Sequence, residues 1–268
     1  MKYAFMSFSC PKHSLDGMLA LARQYGYDGV EPRVQAGHAH GLEMEVDAGT
    51  RRDAAQKALD SGIALCCVAT SCRYSDPDTV QQHVEDTLRC IDLAADVGAP
   101  RIRVFGGQIG KGISRERAIA QVVEALTAVA DRAQARGVTV CMETHDDWCN
   151  PEHVAAVMAQ VDHPAIAVNW DVMHPVRAAG WTVDQSFETL KPWIRHLHVH
   201  DGIEEDGKLI FKAIGEGIVD TQRAIQLLPS MGYDGYLSGE WINWEPPEVH
   251  LPREIATMKG YELQDTAK

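Results

Sequence analysis

The chain has 268 residues, 25 Lys and Arg against 38 Asp and Glu for a formal net charge of −13, and a hydrophobic content of 45%. These proportions belong to an ordinary globular protein and exclude collagen, low-complexity disorder and a small disulfide-stapled scaffold. The acidic surplus argues against a nucleic acid partner, because affinity for phosphate backbones comes mainly from Lys and Arg releasing condensed counterions. No apolar run approaches the ~18 residues of a membrane span, and the first residues lack the apolar core of a signal peptide, so no membrane partner and a cytoplasmic location are expected. The 7 cysteines are odd in number and form no CxxC pair, which reads as buried, reduced thiols rather than a zinc ribbon or disulfide framework.

Taken in chain order, strand-like and helix-like segments alternate with no linker between them, which predicts one domain over residues 1–268. Strand candidates run Tyr3 to Ser9, Gly29 to Pro32, Ile63 to Thr70, Arg101 to Phe105, Val138 to Thr144, Ile166 to Asp171, Ile194 to His200 and Gly235 to Glu240. Helices are expected over 14–25, 51–61, 151–160, 184–191, 219–230 and 248–263. Another opens at Asp76 and Pro77, in N-cap and N1 positions, and carries Val80, Val84, Leu88, Ile91 and Ala95 before Gly98. The clearest starts at a Ser114 cap and repeats Ile119, Val122, Val123, Leu126, Val129, Ala130 and Ala133 at helical spacing up to Gly137. Eight strands interleaved with helices at roughly 33 residues per unit predict an α/β fold, a single (β/α)8 TIM barrel. The rival, a doubly wound open sheet, would show a Gly-rich turn after its first strand, and SFSCPKHS has none.

A barrel interior should be apolar except at the carboxyl ends of its strands. Here the fifth strand ends Cys141-Met142-Glu143-Thr144-His145, the sixth Asn169-Trp170-Asp171, the seventh His196-Leu197-His198-Val199-His200 and the eighth Ser238-Gly239-Glu240. Side chains two apart share a face, so Glu143 and His145 point inward together, as do His196, His198 and His200. Taken singly, a strand-end Glu or Asp is more often a helix cap, and an inward His a hydrogen-bonded core residue. Carboxylates and an imidazole from four successive strands would repel or desolvate one another without a cation, whereas one divalent ion satisfies them all. Such an oxygen-rich set suits Mn²⁺ or Mg²⁺ best, with Co²⁺, Zn²⁺ and Fe²⁺ as alternatives.

The motifs GYDGVEP, METHD, NWDVMHP, HLHVHDG and GYDGYLSGEW together resemble the xylose-isomerase-like TIM-barrel superfamily of sugar isomerases, epimerases and dehydratases, over essentially the whole chain. The resemblance implies a metal set of Glu143, Asp171, His198 and Glu240, and a substrate-contacting histidine at His174. It departs from the ketose 3-epimerases, which carry a second Glu six residues after the first metal Glu and an Arg six residues after the metal His; those positions hold Cys149 and Glu204.

The expected activity is a divalent-metal-dependent isomerase or epimerase of a small sugar or keto sugar, in which Glu143 and Glu240 move a proton through a metal-stabilised enediolate. The alternative is a lyase or dehydratase on the same scaffold, with His145 as catalytic acid or base. His174, His200, Trp148 and Glu31 are the expected substrate-binding residues, although a Glu31 to Arg ion pair and a supporting role for His200 account for them equally well. Gly106-Gly107 reads as a close approach to ligand or a plain turn, and Gly215-Glu216-Gly217 as a poor phosphate cradle because of its own acid. A small carbohydrate is the expected partner, and a homo-oligomer is compatible with the acidic surface.

Overall fold

The apolar run after Lys2 forms β1 (Lys2–Met6), buried beyond its first residue, as a parallel strand covered by helices must be. In the computed structural model, which describes residues 1–265, β1 pairs with β2 (Gly29–Glu31) on one side and with the last barrel strand on the other. There follow β3 (Ala64–Leu65), β4 (Val68–Arg73), β5 (Arg101–Phe105), β6 (Thr139–Glu143), β7 (Ile166–Asp171) and β8 (Ile194–Val199). A hairpin of β9 (Asp201–Glu205) and β10 (Lys208–Lys212) then intervenes before β11 (Tyr236–Gly239).

The barrel strands pair in the order β3-β2-β1-β11-β8-β7-β6-β5-β4. The two ends of that row are successive pieces of one segment, separated by Cys66 and Cys67. A parallel bridge between Arg33 and Ala69, with the Val34 N–H donating to the Ala69 carbonyl at 2.9 Å, brings the ring nearly to closure. The expected (β/α)8 TIM barrel is what forms. Its third strand is not the continuous Ile63 to Thr70 expected, because the segment pairs with β2 at its start and with β5 further on, and shifts register before Arg73.

Outside the ring lie α1 (Leu15–Tyr25), α2 (Ala48–Ser61), α3 (Val80–Val97), α4 (Arg115–Arg136), α5 (Pro151–Val161), α6 (Met173–Ala179), α7 (Val183–Leu190), α8 (Thr221–Leu227) and α9 (Pro247–Asp265). Ser114 caps α4 as expected, accepting from the Arg117 N–H, and Gly137 ends it in the left-handed region at φ 67°. Its buried stripe of Ala118, Val122, Ala125, Leu126, Val129, Ala130 and Ala133 faces the core, and burial of a residue such as Leu126 contributes about 1.5–3 kcal/mol.

Three local expectations need correction. Asp76 and Pro77 form a separate turn, Asp76 accepting from the Asp78, Thr79 and Val80 N–H groups, so α3 starts three residues after Pro77. Ser7–Ser9 is a 3-10 turn and not the end of β1, with the Cys10 N–H returning to the Ser7 carbonyl. His200 lies past the end of β8, where the chain turns into the hairpin; neither the hairpin nor α6 was expected from sequence. The Asp201 carboxylate anchors this excursion by accepting from the N–H groups of Gly202, Gly215, Gly217 and Val219. A Cβ on Gly217 would lie 2.1 Å from Asp201 Oδ1. The Gly215 and Gly217 amides are therefore committed to a carboxylate of the chain itself, and the Glu216 N–H donates to the Ala213 carbonyl at 2.9 Å.

Candidate active site at the carboxyl ends of the strands

Four strand ends converge at one rim. Glu143 closes β6, Asp171 closes β7, His198 lies near the end of β8 and Glu240 follows β11, and all four are buried. Each offers an atom such that the four lie within 4.8 Å of one another. His198 Nδ1 is 2.8 Å from Glu143 Oε1 and 3.2 Å from Glu240 Oε2. Asp171 Oδ1 accepts from the Met173 and His174 N–H groups at 2.9 and 3.1 Å, which ties the carboxylate to the first turn of α6.

The donor set fits a divalent cation. Three buried carboxylates crowd one imidazole, and Glu143 Oε2 and Asp171 Oδ2 meet Arg103 Nε at 3.1 Å and His200 Nε2 at 2.9 Å as ion pairs outside hydrogen-bond geometry. Several carboxylates buried around so few donors are costly unless a further positive charge satisfies them. Neighbouring cations keep two of the acids, Glu240 and Asp171, ionised: burial would raise Glu240, yet His198, Arg103 and His200 hold it down at about 2. Burial likewise acts against Asp171, and His200 and His174 hold it well below the carboxylate range. Against its own burial, His198 is held well above the usual imidazole value by Glu31, Glu143 and Glu240.

Three histidines line the rim above. His145 and His174 have ring centroids 4.4 Å apart, and His174 and His200 5.6 Å apart. His145 also leans on Phe105, and its side chain is 32% exposed against 12% for His174 and 3% for His200. Burial works to lower His145, but Asp146, Glu143 and Glu240 carry it up to about 9. His200 Nε2 lies 2.9 Å from Asp171 Oδ2, which raises His200 despite its burial, whereas burial leaves His174 lowered. Phe211 of the hairpin packs beside His200 at 5.7 Å, so the hairpin forms part of the wall on that side.

Two expected residues take other positions. Trp148 is fully buried, its indole N–H donating to Ser75 Oγ and the Gly107 carbonyl at 2.9 Å each. A Cβ on Gly106 would lie 2.2 Å from the Trp148 ring, so that glycine serves close packing. Glu31 pairs with His196 and His198 rather than with an arginine. Sequence reasoning also missed Arg103, a fully buried guanidinium inside β5 whose Nε is 3.1 Å from Glu143 Oε2 and whose Nη1 donates to the Thr70 carbonyl at 2.8 Å. Its signal was available: Arg101 and Arg103 alternate with Ile102 and Val104, so the sequence puts charge on one face of a barrel strand.

A model of the xylose isomerase-like TIM barrel family matches residues 19–261. The chain belongs to that family. Among members of curated function, a 3-dehydroshikimate dehydratase of Bacillus anthracis is 24% identical over 283 aligned positions, covering 98% of this chain and 99% of the relative. An L-ribulose-5-phosphate 3-epimerase of Salmonella typhi is 26% identical over 235 positions, covering 83% and 81% of the two chains. A solved L-ribulose 3-epimerase superposes with a TM-score of 0.81 at 18% identity, covering 99% of this chain and 96% of that one. This xylose isomerase-like barrel thus sits among enzymes that include both epimerases and a dehydratase. At the two positions where ketose 3-epimerases have Glu and Arg, the Cys149 thiol donates to the Asp146 carbonyl and Glu204 pairs with Arg177 at 3.4 Å. Among the described residues, no helix is long and apolar enough to cross a membrane.

Proposed function

We propose that the chain removes water from a small, carbohydrate-like hydroxy ketone, with His145 as the base that takes the proton beside the carbonyl. Glu143, Asp171, His198 and Glu240 would hold one divalent ion, Mn²⁺ or Mg²⁺ by donor type. When bound, that ion would polarise the substrate carbonyl and stabilise negative charge developing on its oxygen.

The observation that carries this reading is exposure. The side chains of Glu143, Asp171 and His198 have none and Glu240 has 8%, whereas His145 stands 32% exposed at the rim, two residues beyond Glu143 on the same strand end. A group that must reach a carbon-bound proton has to face the substrate. With an ion bound, the Glu143 and Glu240 charges that help hold His145 up at about 9 would be offset, and the neutral imidazole then takes that proton as the carbon–carbon double bond forms and the β-hydroxyl departs. The same proton, returned from His145 to the departing hydroxyl oxygen, completes one water and restores the starting charge. His200 and His174 line the binding wall, and Asp146, 3.0 Å from His145 Nδ1, orients the base.

A second reading, epimerisation or isomerisation, is favoured by the partial exposure of Glu240. There Glu143 and Glu240 carry the proton between them and no water leaves. Incubating metal-loaded protein with a panel of keto sugars and hydroxy keto acids in D₂O separates the two. Elimination yields a new double bond with its ultraviolet absorbance, and its loss in His145→Ala supports the first reading. Deuterium incorporation into an otherwise intact carbon skeleton, retained in His145→Ala, contradicts it and selects the second.

A further inference from the structure

Beneath the four-donor rim lies a polar group that the proposed chemistry does not use. Glu31 is fully buried, its Oε2 is 2.9 Å from His196 Nε2, and its two oxygens are 3.1 and 3.2 Å from His198 Nε2. An ionised carboxylate can only accept, so attraction at these distances requires both imidazoles to carry a proton on Nε2. His198 then presents Nδ1 to Glu143 and Glu240 at 2.8 and 3.2 Å. His196, one strand repeat below on the same face, gives its Nε2–H to Glu31, while its Nδ1 has no partner. Among the described residues, only Glu31 holds that ring's polar end.

The local sequence places Glu31 well for this task. A Cβ on Gly29 would lie 2.8 Å from the Tyr236 ring and 3.2 Å from the Ala64 carbonyl oxygen, so glycine lets β2 approach its neighbours closely. Pro32 disfavours helical backbone at Glu31 and keeps it in the strand, pointing inward.

We propose that Glu31, steadied by His196, is a positioning residue that fixes His198 as an Nδ1 metal ligand by binding its Nε2–H. The proposal rests on the metal reading above. An imidazole has two nitrogens that can ligate, and a carboxylate on one settles both ring orientation and tautomer while making the other more basic. The Glu31, His196 and His198 donor atoms also lie within 4.8 Å of one another and could themselves be taken for an ion site. They hold one carboxylate for two imidazoles, against three carboxylates for one imidazole in the four-donor set, which favours the anchoring role.

Titration of the metal-free protein with Mn²⁺, followed by electron paramagnetic resonance, tests this alongside thermal denaturation without metal. Wild-type protein should bind one ion per chain. Glu31→Gln, which keeps shape but loses charge, should bind it roughly 10–100-fold more weakly, and His196→Gln, which keeps a donor toward Glu31, should stay closer to wild type. Glu31→Gln with wild-type affinity overturns the proposal, as does a second wild-type ion that disappears in that variant. Wild-type protein that binds no ion overturns the metal reading itself, and the proposal with it. Should Glu31→Gln fail to fold, nitrogen-15 spectra of the Zn²⁺-loaded wild type decide: a protonated Nε2 and ligating Nδ1 on His198 are expected, and ligation through Nε2 contradicts the assignment.

Discussion

Two polar layers cross the inside of this barrel, and they differ in how their charges are satisfied. In the lower one, both Glu31 oxygens contact histidine Nε2 atoms. In the upper one, three buried carboxylates crowd His198, and Glu143 Oε2 and Asp171 Oδ2 meet Arg103 Nε at 3.1 Å and His200 Nε2 at 2.9 Å only as ion pairs outside hydrogen-bond geometry. Both layers are built of Glu and His at strand ends, so residue type alone does not tell them apart. A carboxylate whose two oxygens both accept hydrogen bonds inside the protein acts as structure, and several carboxylates crowded on fewer donors point to something the protein binds.

The comparison can be broken most forcefully with a chelator. Exhaustive chelation should abolish turnover and Mn²⁺ or Mg²⁺ should restore it, and full turnover after chelation would put the upper layer in the same class as the lower. Next in size, His145→Ala should lower kcat by about 10²–10⁴-fold while Mn²⁺ affinity stays near wild type, since His145 is not among the donors. A parallel loss of affinity would mean that the rim histidine belongs to the metal set.

Replacements in well-matched regions should change stability and leave binding alone. Trp148→Phe removes the indole N–H from the Gly107 carbonyl and from Ser75 Oγ, which still donates to the Gly106 carbonyl. It should cost about 1–3 kcal/mol in denaturant unfolding with Mn²⁺ affinity unchanged; a selective loss of substrate affinity would return Trp148 to the pocket wall. The smallest expected effect concerns His250, a buried imidazole set edge-on against Trp241, which burial lowers from 6.5 to about 4. Folding keeps it neutral, so its contribution is present above pH 6.5 and is lost as pH falls toward 4. His250→Phe should flatten that part of the stability profile, and an unchanged profile would show that His250 is not part of the acid response.

Much of this was legible in the sequence for identifiable reasons. Strand alternation puts Glu143 and His145 on one face, and helix signals such as Ser114 and Gly137 act through local backbone chemistry, so they can be read without knowing the fold. The break at Cys66-Cys67 was not legible, because it arises from pairing with two different neighbours. The β9–β10 hairpin was hidden for a similar reason: its anchor is Asp201 collecting amides from residues as far along as Val219. Glu31 could be placed on its strand end but not assigned its partners, since His196 and His198 lie 165 and 167 residues away. Trp148 shows the converse error, an aromatic near a strand end whose N–H is committed to the interior.

The central claim is that Glu143, Asp171, His198 and Glu240 share one divalent ion. Anomalous diffraction from crystals of Mn²⁺-loaded protein tests it most directly. The account predicts a single strong peak per chain, enclosed by those four side chains. A peak between Glu31 and His196, or no peak under conditions where the enzyme turns over, would contradict it.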